Sequence, residues 1–448
     1  MTSIDEFGRR LRAKEITCEQ AVEASLKKID ETRELNAFIL VMADEARRQA
    51  RELDEELASG RDRGPLHGVP ITIKDLLDIR GTATTAASRV REGHMADRDC
   101  PSVAHLRQAG AIFLGKNNLH EFAFGTTNED SAFGPSRNPF DTKRSPGGSS
   151  GGSAAGLAAG VGLATIGTDT GGSIRIPAAL CGLVGLKPTI GEVSVEGVVP
   201  LSKTMDHVGP LTLNVADACL VYHALLGDAA AALPAPMPMS GLRLAVPRPY
   251  FCDLLDDGVR AAFDAALARL RDAGAHVDDI EIHHAADIGP VYLHLVLSDA
   301  AAYHAATLDS MPDRYTPPVR LRLEMGRYVL AEDYVRALAG RAMLIREVDA
   351  ALAQHDALVL PTLPIPAPLL GAATVDVAGT SQVIRNIMLR LTQLFDVTGH
   401  PAISIPADRT KSGLPCGVQL IGCRHKTDAL LRVALACERF ITPTAAPA

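Results

Sequence analysis

No segment of this 448-residue chain concentrates lysine and arginine, and the formal charge is −8. Such a chain offers no electrostatic footprint for a phosphate backbone, which speaks against nucleic acid as a direct ligand. No uninterrupted apolar run reaches the roughly 20 residues of a membrane span. The opening Met1-Thr-Ser-Ile-Asp-Glu6 has neither the basic start nor the apolar stretch of a secretory signal, so a cytoplasmic protein away from membranes is expected. None of the eight cysteines (18, 100, 181, 219, 252, 416, 423 and 437) forms a CxxC pair, and a chain this long folds without staples; they read as buried or peripheral thiols. His283, His284 and His294 lie in no Cys/His/Asp cluster at ligand spacing, so no metal is expected. No internal period is found, and GxGxxG, GK[ST] and GxSxG are all missing.

What is there is a soluble globular composition, 47% hydrophobic and 22% charged, with ample apolar surface to bury. Ser3 with Glu6 and Thr17 with Gln20 fit capping boxes, and Val22, Leu26 and Ile29 repeat at helical spacing. Strands are expected at Ala37 to Val41, Val69 to Ile73, Ala111 to Leu114, Leu183 to Leu186, Leu242 to Val246 and Val277 to Ile282. Helices fit Glu45 to Leu57, Pro101 to Ala109 and Val259 to Ala273, and strands return at Ala357 to Leu360, Ala402 to Ile405 and Val418 to Ile421 before a last helix, Thr427 to Phe440. Interleaving of this kind belongs to the α/β class. The expected division is an N-terminal helical segment (1–60), a core (61–225) and the remainder (226–448) with a helical insertion at about 285–355, all within one compact unit. Ala232 to Met239 and Pro361 to Pro368 read as exposed connections, and Thr442 to Ala448 as a frayed end.

The most unusual stretch is Pro146-Gly-Gly-Ser-Ser-Gly-Gly-Ser153, followed by Asp169-Thr-Gly-Gly-Ser-Ile-Arg175. Alone, the first tract reads as a flexible linker. It runs at once into Ala154 to Gly160, however, whose small residues suit a buried helix. A phosphate cradle is disfavoured by the missing motifs. A Ser-His-Asp arrangement lacks its nucleophile elbow, with His207 the nearest histidine candidate. Lys74, at the end of a β-branched strand, reads by itself as a surface lysine.

Together these motifs resemble those of the amidase signature family. The resemblance is carried by Gly68-Val-Pro-Ile-Thr-Ile-Lys-Asp75, Lys116-Asn-Asn-Leu-His-Glu121, the two Gly-Gly-Ser blocks, Gly182-Leu-Val-Gly-Leu-Lys-Pro188 and Gly413-Leu-Pro-Cys-Gly-Val-Gln-Leu-Ile-Gly422. It implies a central, mostly parallel mixed twisted β-sheet with helices on both faces. It also implies a catalytic set of Lys74, Ser149 and Ser173, with a cis bond between Gly148 and Ser149 and no cofactor. In that chemistry Ser173 attacks a carbonyl, Ser149 relays its proton, and Lys74 receives it, which requires a neutral, desolvated amine. Backbone N–H groups of Thr170, Gly171, Gly172 and Ser173 are expected to hold the oxyanion. Ser150 either orients the relay or caps the following helix. Asp169 is expected to brace the loop, and Arg175 either to brace it or to bind a substrate carboxylate.

The implied reaction is hydrolysis of small non-peptide amides through an acyl-enzyme, extending to anilides, carbamates and esters, by a monomer or homodimer. Tyr303, Tyr315, Leu323, Met325 and Tyr328 either give the pocket apolar character or belong to the ordinary core. The alternatives are a glutamine-using subunit of a tRNA-dependent amidotransferase and a catalytically silent scaffold. Against the former, Leu389 stands about where that subunit carries an aspartate for the glutamine amino group.

Overall fold

The computed structural model describes residues 2–442. Met1 and residues 443–448, most of the end read as frayed, lie outside the described residues. Along the chain the strands are β1 (Phe38–Val41), β2 (Pro70–Lys74), β3 (Ile112–Asn117), β4 (Ala164–Asp169), β5 (Val184–Lys187) and β6 (His207–Thr212). They continue with β7 (Arg243–Pro247), β8 (His276–Ile280), β9 (Ala357–Pro361), a hairpin of β10 (Thr374–Val377) and β11 (Thr380–Val383), then β12 (Ala402–Pro406) and β13 (Gly417–Ile421). All but the hairpin join one eleven-stranded sheet in the order β1-β3-β2-β4-β6-β5-β12-β13-β9-β7-β8.

The sheet is mixed. Its parallel pairs lie in two wings, β2 between β3 and β4 and β7 between β8 and β9. The middle, from β4 through β6, β5, β12 and β13 to β9, is antiparallel. β2 is buried at every position, as its near-continuous apolar run requires when both faces are covered. Because β12 pairs with β5, the first and second halves of the chain share this one sheet.

Helices form where the periodicity places them. Thr17 and Gln20 close a complete capping box. At Ser3 only half forms: its hydroxyl accepts from the Glu6 N–H, while the Glu6 carboxylate turns to Arg9. The region read as a helical insertion holds three helices, Ile288–Ser310, Pro317–Gly326 and Ala331–Leu352.

Two central strands escape the pattern reading. β4 is hidden in glycine- and alanine-rich sequence; its Gly167 is needed because a Cβ there would stand 2.9 Å from the Ser150 hydroxyl. β6 carries Pro210, ordinarily a mark against a central strand, but its ladder to β5 covers only Leu211 and Thr212. One connection differs from expectation. Pro361 to Ile365 is buried rather than exposed, pinned by the Thr362 N–H on Gly417 O (2.8 Å) and the Asp256 N–H on Pro364 O (2.8 Å). Prolines suit such a buried strap because they bring no N–H to satisfy.

Candidate active site

β2 carries Lys74 into the interior, where its side chain is fully buried. The ammonium donates to the Ser149 hydroxyl at 2.8 Å and the Thr168 hydroxyl at 2.7 Å. Burial pulls its pKa down from 10.5 to about 7, against the opposing pull of Asp169 and Asp206. A strand-end surface lysine is therefore not what the fold makes of it.

Ser149 arrives on a tight loop whose backbone presses against its neighbours. A Cβ on Gly148 would stand 2.9 Å from the Asn128 nitrogen, and one on Gly147, at φ 80°, 2.9 Å from Pro177 Cα. The Gly148–Ser149 peptide is cis. Every residue from 145 to 157 is buried, which a solvated linker is not. Ser150 heads the helix Gly151–Ala158 but makes no side-chain cap. Its hydroxyl instead donates to Thr168 O at 3.2 Å and accepts from the Thr168 N–H at 3.4 Å, fixing the strand residue that holds Lys74.

Ser173 lies across the site, its carbonyl accepting from the Ser150 N–H at 3.2 Å. It is 7% exposed where Lys74, Ser149 and Ser150 are at 0%, so of these four residues it is the one solvent touches. Its hydroxyl makes no hydrogen bond to protein among the described residues. The structure thus joins Lys74 to Ser149 directly, and Ser173 to the pair through the backbone of Ser150.

The loop after β4 is held by charge. Asp169 accepts from the N–H groups of Gly172 (2.5 Å), Ile174 (3.1 Å) and Arg175 (3.3 Å), and from the Arg175 guanidinium at 3.0 and 3.2 Å. Burial alone would raise the Asp169 carboxyl; the guanidinium overcomes this and holds it far below the usual range. Arg175 also reaches Thr392 O (3.1 Å), Gln419 Oε1 (3.2 Å) and Asp396 Oδ2 (2.5 Å). With five bonds made inside the protein, its donors are engaged in bracing, and the substrate-carboxylate reading is set aside. Asp396 behaves oppositely to Asp169: burial, reinforced by the Asp169 charge, pushes its carboxyl up despite Arg175. At the other end, Asp206 accepts from the Thr170 hydroxyl (2.6 Å) and from the Leu201 and Ser202 N–H groups, and burial raises it to about 6.

Of the four N–H groups expected to hold the oxyanion, that of Gly172 donates to Asp169, whereas those of Thr170, Gly171 and Ser173 have no side-chain acceptor among the described residues. His207, the histidine alternative, contacts neither serine. It lies 3.1 Å from the buried Lys187 and 3.1 Å from Asp169 O, and burial drives its pKa down.

A cavity of about 290 Å³ is lined in part by Tyr250, Tyr292, Leu389 and Gln393, and two of these wall residues stand against the loop. A Cβ on Gly171 would stand 2.5 Å from Tyr292 Oη and 3.0 Å from Leu389 Cδ2. None of the five residues weighed from sequence as pocket wall or core lines this cavity. Tyr315 and Leu323 are core, Met325 and Tyr328 are exposed, and Tyr303 lines a separate cavity that includes Asp206. Helical spacing cannot tell which face of a helix meets a loop from elsewhere in the chain. Thr168, Tyr292 and Asp396 likewise carry no residue-type signal, because their importance comes from burial and position.

Similarity to known proteins extends along nearly the whole chain. The family model described as Amidase matches residues 20–431. An amidase of Pseudomonas putida is 38% identical over 98% of this chain and 96% of its own. The A-type subunit of a glutamyl-tRNA(Gln) amidotransferase from Anaeromyxobacter sp. (strain K) is 39% identical over 99% of this chain and 96% of its own. A crystal structure of an amidase superposes with a TM-score of 0.92 at 36% identity, covering 97% of this chain and 99% of that one.

Proposed function

From the premise that this chain belongs to the amidase family, hydrolases acting on carbon–nitrogen bonds of amides, we propose that it is a free-standing amidase that cleaves small non-peptide amides through an acyl-enzyme on Ser173. The observation that carries this reading is the fully buried Lys74, brought near neutrality and hydrogen-bonded to Ser149.

With Lys74 neutral, Ser149 passes its proton to the amine as it takes the proton of Ser173, whose oxygen attacks the amide carbonyl. For this the Ser173 hydroxyl turns toward Ser149, a tightening expected on substrate binding. The carbonyl oxygen becomes an oxyanion before the free N–H groups of Thr170, Gly171 and Ser173. Collapse expels the amine, which leaves with the proton returned through Ser149. Water then attacks the acyl-enzyme by the same proton path and frees the acid. Anilides and esters change only the leaving group, and carbamates pass through a carbamoyl- or alkoxycarbonyl-enzyme, so all three fit the same route. A cytoplasmic monomer or homodimer suits a chain whose eight cysteines are all free.

The likeness to an amidotransferase component favours a second reading, glutamine use. Against it, Leu389 forms part of the cavity wall beside Gly171 and offers no acceptor to an ammonium. A serine-directed phosphonate together with a hydrolysis panel of primary amides, anilides, carbamates, esters and glutamine tests both. Wild type is expected to be labelled and to turn over non-glutamine amides. Ser173→Ala is expected to lose labelling and more than about 10³-fold in rate. Turnover of glutamine alone would favour the second reading, and absence of labelling would leave a silent scaffold.

A further inference from the structure

The cavity beside Gly171 is also lined by Arg385 and Arg390, and by no aspartate or glutamate. The Nε of each arginine is buried without a hydrogen-bond acceptor among the described residues. Arg390 is fixed in place: it donates to Tyr250 O at 2.8 Å and lies 3.9 Å from the centre of the Tyr250 ring. Arg385 makes no hydrogen bond or ion pair to protein among the described residues. It rests 5.9 Å from the Phe124 ring centre, where a third arginine, Arg322, lies at 5.4 Å. The crowding is felt: burial lowers Arg322 to about 10, and the Arg385 charge adds to the fall. From the other side, Arg385 opposes the burial-driven rise of the Tyr292 hydroxyl, the group against Gly171.

Two cations with idle buried donors are costly unless something in the cavity accepts from them. We propose that this cavity receives a carboxylate carried by the substrate, so that the preferred substrates are acid amides rather than neutral ones. A planar carboxylate matches the guanidinium fork, and the apolar Leu389 offers nothing to an adjacent ammonium. The proposal rests on the amidase reading above and names the substrate class of that same site.

The test compares succinamate with levulinamide, in which a methyl ketone replaces the carboxylate at nearly equal size. Wild type is expected to favour succinamate in kcat/KM. In Arg385→Gln the succinamate-to-levulinamide ratio is expected to fall about 10- to 100-fold, mostly through KM, with partial recovery in Arg385→Lys. Equal kcat/KM for the two amides in wild type, or a ratio unmoved by Arg385→Gln, would overturn it. Calorimetry in Ser173→Ala separates this from failure of the amidase reading. Succinamate binding that weakens by the same factor in the Ser173→Ala, Arg385→Gln double variant supports the anion site even where turnover is lacking; binding unchanged by the second substitution overturns it.

Discussion

Lys74, the base of the proposed mechanism, is tuned by location rather than by partner. No carboxylate pairs with it among the described residues, and burial sets its pKa near 7. Below that value the amine is protonated and cannot accept, so kcat/KM for an amide is expected to be low at pH 5 and to rise through about pH 7 to a plateau. Thr168 is expected to adjust the midpoint, because its hydroxyl accepts from the ammonium at 2.7 Å and a bond to the charged form favours that form. Thr168→Val removes that acceptor and is expected to move the rising limb to lower pH, as a pH–rate profile would read; an unmoved limb would deny Thr168 the role. Lys74→Ala is expected to remove the limb and to spare ester cleavage more than amide cleavage, since an amine leaves only with a proton. The candidates Lys74, Ser149, Ser173, Asp169 and Arg175 are legible in sequence through the resemblance that their motifs carry together, not singly, since Lys74 alone reads as a surface lysine. Thr168, Asp206 and Tyr292 are not, since a threonine, an aspartate and a tyrosine in ordinary surroundings gain meaning only from what the fold buries them against.

Between β4 and the helix Arg175–Leu180, the loop has no regular hydrogen bonding of its own. Its shape is fixed by Asp169 at the strand end, Arg175 at the helix start, and Asp396, Thr392 and Gln419 more than 200 residues away. Removing the cation leaves two carboxylates buried, which costs about 3–5 kcal/mol in comparable pairs. Arg175→Met is thus expected to lower the urea midpoint by an amount corresponding to about that loss, with activity falling in step. Arg175→Lys is expected to recover little, since one ammonium cannot reach five acceptors. This long-range brace explains why the fold is more legible than its centre. Strands such as β2, β9 and β13 announce themselves by short, mostly apolar runs. β4 and β6 do not, because Gly167 and Gly209 give room to Ser150 and to the Leu186 backbone, and close approach demands residues that local propensity counts against a strand.

At the scale of the molecule, the site is built from both ends of the chain. Lys74, Ser149 and Ser173 come from the first half, while the brace on Arg175 and the walls Tyr292, Leu389 and Arg385 come from the second. The halves are joined covalently by an exposed proline-rich segment, Ala232 to Met239. They are joined non-covalently by the β5–β12 ladder and by the final helix Thr427–Ile441, whose Glu438 accepts from the Val215 N–H at 2.8 Å. The second set of contacts is far larger than the first, so the chain is expected to behave as one cooperative unit. Limited proteolysis is expected to nick first in the 232–239 segment, where the backbone is exposed and has few bonds to lose. The nicked fragments are expected to co-elute in gel filtration, melt in a single transition and keep most of their amidase activity. Separation in denaturant should abolish that activity, and remixing on refolding should restore it. Fragments that part without denaturant, or an N-terminal fragment active by itself, would show that the sheet does not bind the two halves as its hydrogen-bond order requires.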